Sequence, residues 1–125
     1  VKHLLDVSAL LPLIWQTHPF AARVAAWRKG KTLVLCPLAE LGFLRISTGP
    51  ACNATMADAR TALAKFKADE GAEWIPDDLP ALDGMPPASS KQVADFYFGN
   101  LAQKHGMAWA TFDENSGHPA AATIP

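Results

Sequence analysis

Short apolar runs alternate with amphipathic segments along this chain, and an acid follows the first and last of those runs. The first run, Leu4 to Ala9, is broken by Asp6. The second is Lys31 to Cys36 (K-T-L-V-L-C), closed by Pro37. The third is Met107 to Phe112 (M-A-W-A-T-F), closed by Asp113. Short apolar strands alternating with helices predict an α/β fold with a mostly parallel central sheet flanked by helices. At 125 residues the chain fits one domain, since domains most often run to about 100–150 residues. The breaks at Gly49-Pro50, Gly71, Pro76 to Pro80 and Gly84 to Ser90 are short enough to be loops within that single domain, residues 1–125.

The helices follow from spacing and punctuation. A first helix begins around Ser8, a good cap, with Pro12 in its first turn, and His18-Pro19 breaks it. Phe20 to Lys29 reads as the second helix. Pro37 starts a third, with Leu38, Leu41 and Leu44 at helical spacing. Thr55 to Asp69 is an alanine-rich amphipathic helix, and Trp74-Ile75 a short strand. Ser89 or Ser90 caps a helix that runs to about His105, where Gly106 takes the left-handed position beyond its end. Ala121 to Ile124 reads as a last edge strand.

Parallel sheets place their sites at the carboxyl ends of the strands. Asp6 stands at the first such end, with Ser8 two residues on. Glu40 falls in the first helical turn after the second strand. Asp113 stands at the end of the last long strand, between Thr111 and Asn115. A fourth acid, Asp95, has Phe98, Gly99 and Ala102 on its helical face, where an unpaired charge is costly to bury. Taken singly, these acids have ordinary explanations: Glu40 and Asp95 suit helix N-termini, and Asp6 and Asp113 suit caps. Together they converge on one sheet edge, where like charges oppose one another's ionisation. A hard divalent cation, Mg²⁺ or Mn²⁺, resolves that conflict with oxygen ligands, and the chemistry it implies is metal-assisted phosphodiester hydrolysis.

The ordered set L-L-D-V-S-A-L-L (Leu4–Leu11), C-P-L-A-E-L-G-F-L-R (Cys36–Arg45), V-A-D-F-Y (Val93–Tyr97) and A-T-F-D-E-N-S-G-H-P (Ala110–Pro119) resembles PIN domains. More narrowly, it resembles the VapC-type toxin ribonucleases of bacterial toxin–antitoxin pairs, over essentially the whole chain. The resemblance implies that Asp6, Glu40, Asp95 and Asp113 form the family's acidic metal-binding quartet. Ser8 matches a polar supporter of the first acid, Thr111 the hydroxyl before the last, and Arg45 the basic residue beyond the Glu. The implied activity is Mg²⁺-dependent endoribonuclease action on RNA, leaving 5′-phosphate and 3′-hydroxyl ends. The implied partners are a cognate antitoxin and a second copy of the chain. Two positions depart from the common pattern. Many relatives have Asn at the Ser8 position, and many place an acid or Asn three or four residues after the last acid, where here Glu114 and Asn115 follow at once. Two rival classes remain: a catalytically silent PIN-like module that binds RNA or a partner, and an aspartate-based phosphatase. The Asp-x-Asp-x-Thr pattern of one phosphatase class is absent, because Val7-Ser8 follows Asp6.

Other features bound the reading. No apolar run approaches the roughly 20 residues of a membrane span. The acid at position 6 argues against a signal peptide. Two cysteines, Cys36 in an apolar run and Cys52, suit a reducing cytoplasmic setting. Gly30-Lys31-Thr32 imitates the end of a P-loop, but Ala25 stands where that motif needs Gly. Arg45 either contacts phosphate or pairs with Glu40, and the site role is favoured. Arg23, Arg28, Lys29 and Lys31 form the densest basic stretch and suit either an RNA backbone or a solvated helix end. Lys65 and Lys67 read as surface residues. The four tryptophans read mostly as core, with Trp15 and Phe20 as candidates for a partner surface. Eleven basic residues against twelve acidic ones exclude a polycationic binder. Setting the four site acids aside leaves the remainder at net +3, a mildly basic body around an acidic pocket.

Overall fold

The computed structural model describes residues 1–125 and bears out the α/β reading. The chain order is β1 (Lys2–Leu5), α1 (Val7–Ile14), α2 (Ala21–Trp27), β2 (Thr32–Leu35), α3 (Pro37–Ser47), α4 (Met56–Asp69), β3 (Glu73–Trp74), a 3₁₀ turn (Ser90–Gln92) running into α5 (Val93–Lys104), β4 (Ala108–Thr111) and β5 (Ala121–Thr123). The five strands form one sheet in the order β3-β2-β1-β4-β5, every neighbouring pair parallel.

That order fixes where a site belongs. From β1 the chain steps outward through β2 to β3, then returns through α5 to lay β4 on the other side of β1. The direction of winding therefore reverses between β1 and β4, and the crevice lies beyond their carboxyl ends. The register sets Leu5 opposite Ala110, and the Asp6 N–H continues the ladder to the Ala110 carbonyl at 2.9 Å. Asp6 and the residues after Thr111 thus leave the sheet side by side.

The strands read as near-continuous apolar runs because both sheet faces are covered. Leu4, Leu5, Val34, Leu35, Trp109 and Ala110 are buried, with Leu10, Phe43, Leu63, Phe98 and Leu101 packed from the helices. Phe98 stacks on Trp109 with centroids 6.1 Å apart. Cys36 is fully buried, and burial pushes its thiol up to about 12, so it behaves as a small apolar side chain. No helix is long and apolar enough to cross a membrane.

Several boundaries shift from expectation for identifiable reasons. Asp6, not Ser8, occupies the N-cap of α1, so Pro12 lies in the middle of that helix rather than in its first turn. Lacking an N–H, Pro12 leaves the Ser8 carbonyl without its usual helical bond, and the helix ends two residues later. Helix α2 starts at Ala21, because His18 Nδ1 accepts the Phe20 N–H at 3.0 Å and the His18 carbonyl accepts that of Ala21. Trp74 is not core: it is 49% exposed on the edge strand. Thr55 caps α4 as expected, accepting from the Asp58 N–H at 3.1 Å.

Candidate active site

Asp6 stands at a helix N-cap, where an aspartate ordinarily bonds the first-turn amides. Its carboxylate makes no such bond. Instead Oδ2 accepts from the Ser8 hydroxyl at 2.6 Å and from the Thr111 hydroxyl at 2.9 Å. The capping explanation of this acid therefore fails; of the two roles expected of Ser8, cap and supporter of Asp6, the structure shows the second. Thr111 is fully buried and uses both sides of its hydroxyl, donating to Asp6 and accepting from the Asp113 N–H at 3.1 Å. Ser8 Oγ also accepts from the Phe112 N–H at 3.2 Å. Two hydroxyls thus lock the end of β1 to the end of β4. The Asn115 N–H donates to Asp113 Oδ1 at 2.8 Å, so Asn115 supports that acid through its backbone, its own side chain being exposed.

Asp95 comes to the same place from α5. Burial pushes its carboxyl up to about 6, and the charges of Asp6 and Asp113, with a hydrogen bond to Asp113, push the same way. The structure brings these three aspartates into one electrostatic neighbourhood.

Glu40 is differently engaged. It lies in the first turn of α3, yet both its oxygens already have donors: Lys67 Nζ at 2.5 Å on Oε2 and Trp74 Nε1 at 3.1 Å on Oε1. As the side chains stand, no three His, Cys, Asp or Glu residues are close enough together to enclose a metal ion. The three aspartates are all hard oxygen donors, and the charges of Asp6 and Asp113 push up the carboxyl of Asp95, a chemistry that suits a hard cation. Glu40 is bound to an internal cation. That cation is not Arg45, which is exposed and makes no ion pair. Five residues along a helix is a rotation of about 140° from Glu40, so the two side chains leave α3 on different sides. Lys67 and Trp74 were not readable as site neighbours, since they lie 27 and 34 positions from Glu40 on other elements.

A buried polar network steadies the loops around α5. Asn100 Oδ1 accepts from the Met85 N–H at 3.1 Å, and Asn100 Nδ2 donates to the Met85 carbonyl at 2.9 Å. His118 Nε2 lies 2.9 Å from the same Asn100 oxygen, and His118 Nδ1 accepts from the Ala120 N–H at 3.0 Å. The proton must therefore sit on Nε2, and burial lowers the pKa of this ring. Two glycines make room: a Cβ at Gly99 would lie 2.4 Å from the His118 ring, and one at Gly84 would lie 2.6 Å from the Asn100 side chain. The loop before α5 and the segment after Asp113 are both pinned to the helix that carries Asp95.

Comparison with known proteins matches no family model. It does find a curated relative, "Ribonuclease VapC38" of Mycobacterium tuberculosis, 36% identical over 118 residues that cover 88% of this chain and 84% of the relative.

Proposed function

Because the chain belongs to the VapC-type PIN-domain ribonucleases, we propose that it is a Mg²⁺-dependent endoribonuclease, the toxin of a toxin–antitoxin pair. Its reaction is hydrolysis of RNA phosphodiester bonds in the cytoplasm, by a homodimer restrained by its cognate antitoxin. Family membership supports the partners and the setting. The observation that carries the site assignment is the convergence of Asp6, Asp95 and Asp113 on the β1–β4 crevice, close enough that two of them raise the pKa of the third.

Asp6, Asp95 and Asp113 would hold the Mg²⁺, with Mn²⁺ as a substitute. The ion, when bound, supplies an acidified water and offsets charge on the phosphoryl oxygens. The chain's own groups prepare that site. Ser8 and Thr111 occupy Asp6 Oδ2 and leave Oδ1 without a partner in the chain. The Asn115 amide orients Asp113. Glu40 is the fourth acid of the site, with Lys67 on one of its oxygens and Trp74 on the other. Arg45, exposed and unpaired, is available to a phosphate.

A silent PIN-like module draws on one observation, the occupation of both Glu40 oxygens. One experiment separates the two readings. Purified protein is incubated with RNA in Mg²⁺ and in EDTA, beside Asp6→Asn and Asp95→Asn. An active enzyme cuts in Mg²⁺, stops in EDTA and is disabled by both substitutions. Cleavage that survives EDTA or both substitutions overturns the proposal, and absence of cleavage by the parent chain favours the silent module.

A further inference from the structure

Just beyond the carboxyl end of β4 lie two phenyl rings and an arginine that the site has not used. Phe112 stands between Thr111 and Asp113, and Phe20 immediately precedes α2. Their ring centroids are 4.8 Å apart. The guanidinium carbon of Arg23 lies 4.5 Å from the Phe20 centroid and 5.0 Å from that of Phe112. Arg23 Nε donates to the Pro125 carbonyl at 3.0 Å, which fixes the guanidinium through one of its five N–H donors. Its two terminal nitrogens make no hydrogen bond or ion pair within the chain.

Two other members of the basic stretch have partners, and Lys29 is exposed. Arg28 is neutralised by Glu70 at 2.7 Å, and Lys31 gives its ammonium to the Trp27 carbonyl at 2.7 Å. Arg23, like Lys29, is in no ion pair with an acidic side chain, and it alone of the stretch stacks on the phenyl ring that precedes Asp113 in sequence. The Phe112 N–H is held by the Ser8 hydroxyl that also holds Asp6. Phe20 is 36% exposed, with Arg23, Phe112 and His18 around its ring. A fixed guanidinium with free terminal donors recognises a phosphate, and an open aromatic face receives an unpaired base. Single-stranded RNA offers both groups on one nucleotide.

We propose that Arg23, stacked on Phe20 and Phe112, is a substrate contact that binds the phosphate of a nucleotide beside the cleaved bond, while Phe20 receives its unpaired base. This rests on the endoribonuclease reading of the neighbouring aspartates.

The test is anisotropy of a fluorescein-labelled single-stranded RNA titrated with the full chain in EDTA, where binding is read without cleavage. Arg23→Ala weakens binding by about tenfold and lowers the slope of log K against log salt by about 0.7, the value for one phosphate of a single strand. Phe20→Ala weakens binding by about tenfold and leaves the slope unchanged. Arg23→Lys keeps the slope with intermediate affinity. A merely structural role for Arg23 does not move the slope selectively. In Mg²⁺ the same substitutions raise KM more than they lower kcat. Should Arg23→Ala fold poorly, Arg23→Lys and Phe20→Ala carry the comparison. Parental affinity, slope and KM in the folded variants overturn the proposal while a cleaving parent chain leaves the nuclease reading intact. A parent chain that neither binds nor cuts RNA overturns both.

Discussion

Lys67 and Glu40 form an ion pair across α4 and α3, with Nζ 2.5 Å from Oε2, and the Trp74 indole holds the other carboxylate oxygen. An acid that the family resemblance assigns to a metal site is thereby supplied with a cation by the protein itself. The Lys67 side chain is 39% exposed, so the pair adds less than about 1 kcal/mol to stability. Lys67→Met is expected to leave the melting temperature nearly unchanged and to tighten Mn²⁺ binding several-fold, because Glu40 is released. Titration calorimetry with Mn²⁺ checks this. Weaker binding in the variant would mean that Lys67 holds Glu40 in its metal-binding position.

Asp95 makes metal-free stability depend on pH in a defined direction. Its folded pKa, about 6, lies above the ordinary 3.8. The stability tied to its protonation is fully present below about pH 4 and is lost as pH rises through about 6. Asp95→Asn should therefore raise the melting temperature of the EDTA-treated protein at pH 7.5, with little gain at pH 4.5. The same substitution should remove most of the stabilisation that Mg²⁺ gives the parent chain. Scanning calorimetry at the two pH values, with and without Mg²⁺, reads both effects.

Thr111→Val removes one donor to Asp6 and strands the Asp113 N–H. An unsatisfied buried polar group costs about 1–3 kcal/mol, and loss of a group that orients a metal ligand costs about 10–100-fold in affinity or activity. Urea denaturation and Mn²⁺ titration should show both losses, with Thr111→Ser restoring most of each. A Val variant of parental metal affinity would remove Thr111 from the site.

His118 carries the opposite pH sign. Its pKa is held below the ordinary 6.5 by burial, so its contribution is present above about 6.5 and is lost as pH falls below that value. Protonation would also set an N–H at Nδ1 against the Ala120 N–H. His118→Gln should flatten that acid-side loss, measured as the melting temperature between pH 7 and pH 5. Gly99→Ala, whose methyl would meet the His118 ring at 2.4 Å, should destabilise by about 1–3 kcal/mol or more.

The acids at strand ends were legible because a parallel sheet announces its own site: an apolar run that stops at Asp6 or Asp113 leaves few places for the carboxylate to go. Asp95 was legible as a charge among apolar helical neighbours. Ser8 had two readings, an N-cap and a supporter of Asp6, because the two roles have the same local spelling; the fold keeps the second. The hold of Lys67 and Trp74 on Glu40 was not legible, since nothing local links residues so far apart in sequence. The Asn100–His118 network was hidden for the same reason. The basic stretch from Arg23 to Lys31 was visible as charge, but its division into a paired Arg28, a Lys31 that serves a backbone carbonyl, an exposed Lys29 and an Arg23 stacked on two phenyl rings required the fold.

The hydroxyl of Thr111 meets the carboxylate of Asp6 across 105 positions of sequence. Synthesis runs from the N-terminus, so β1 exists long before the strand that completes it. A nascent or prematurely ended chain that stops short of Thr111 carries Asp6 and Asp95 without Asp113 or the hydroxyl that ties the two strand ends together. Under the proposed nuclease function, the site is complete only once the last strands have been made.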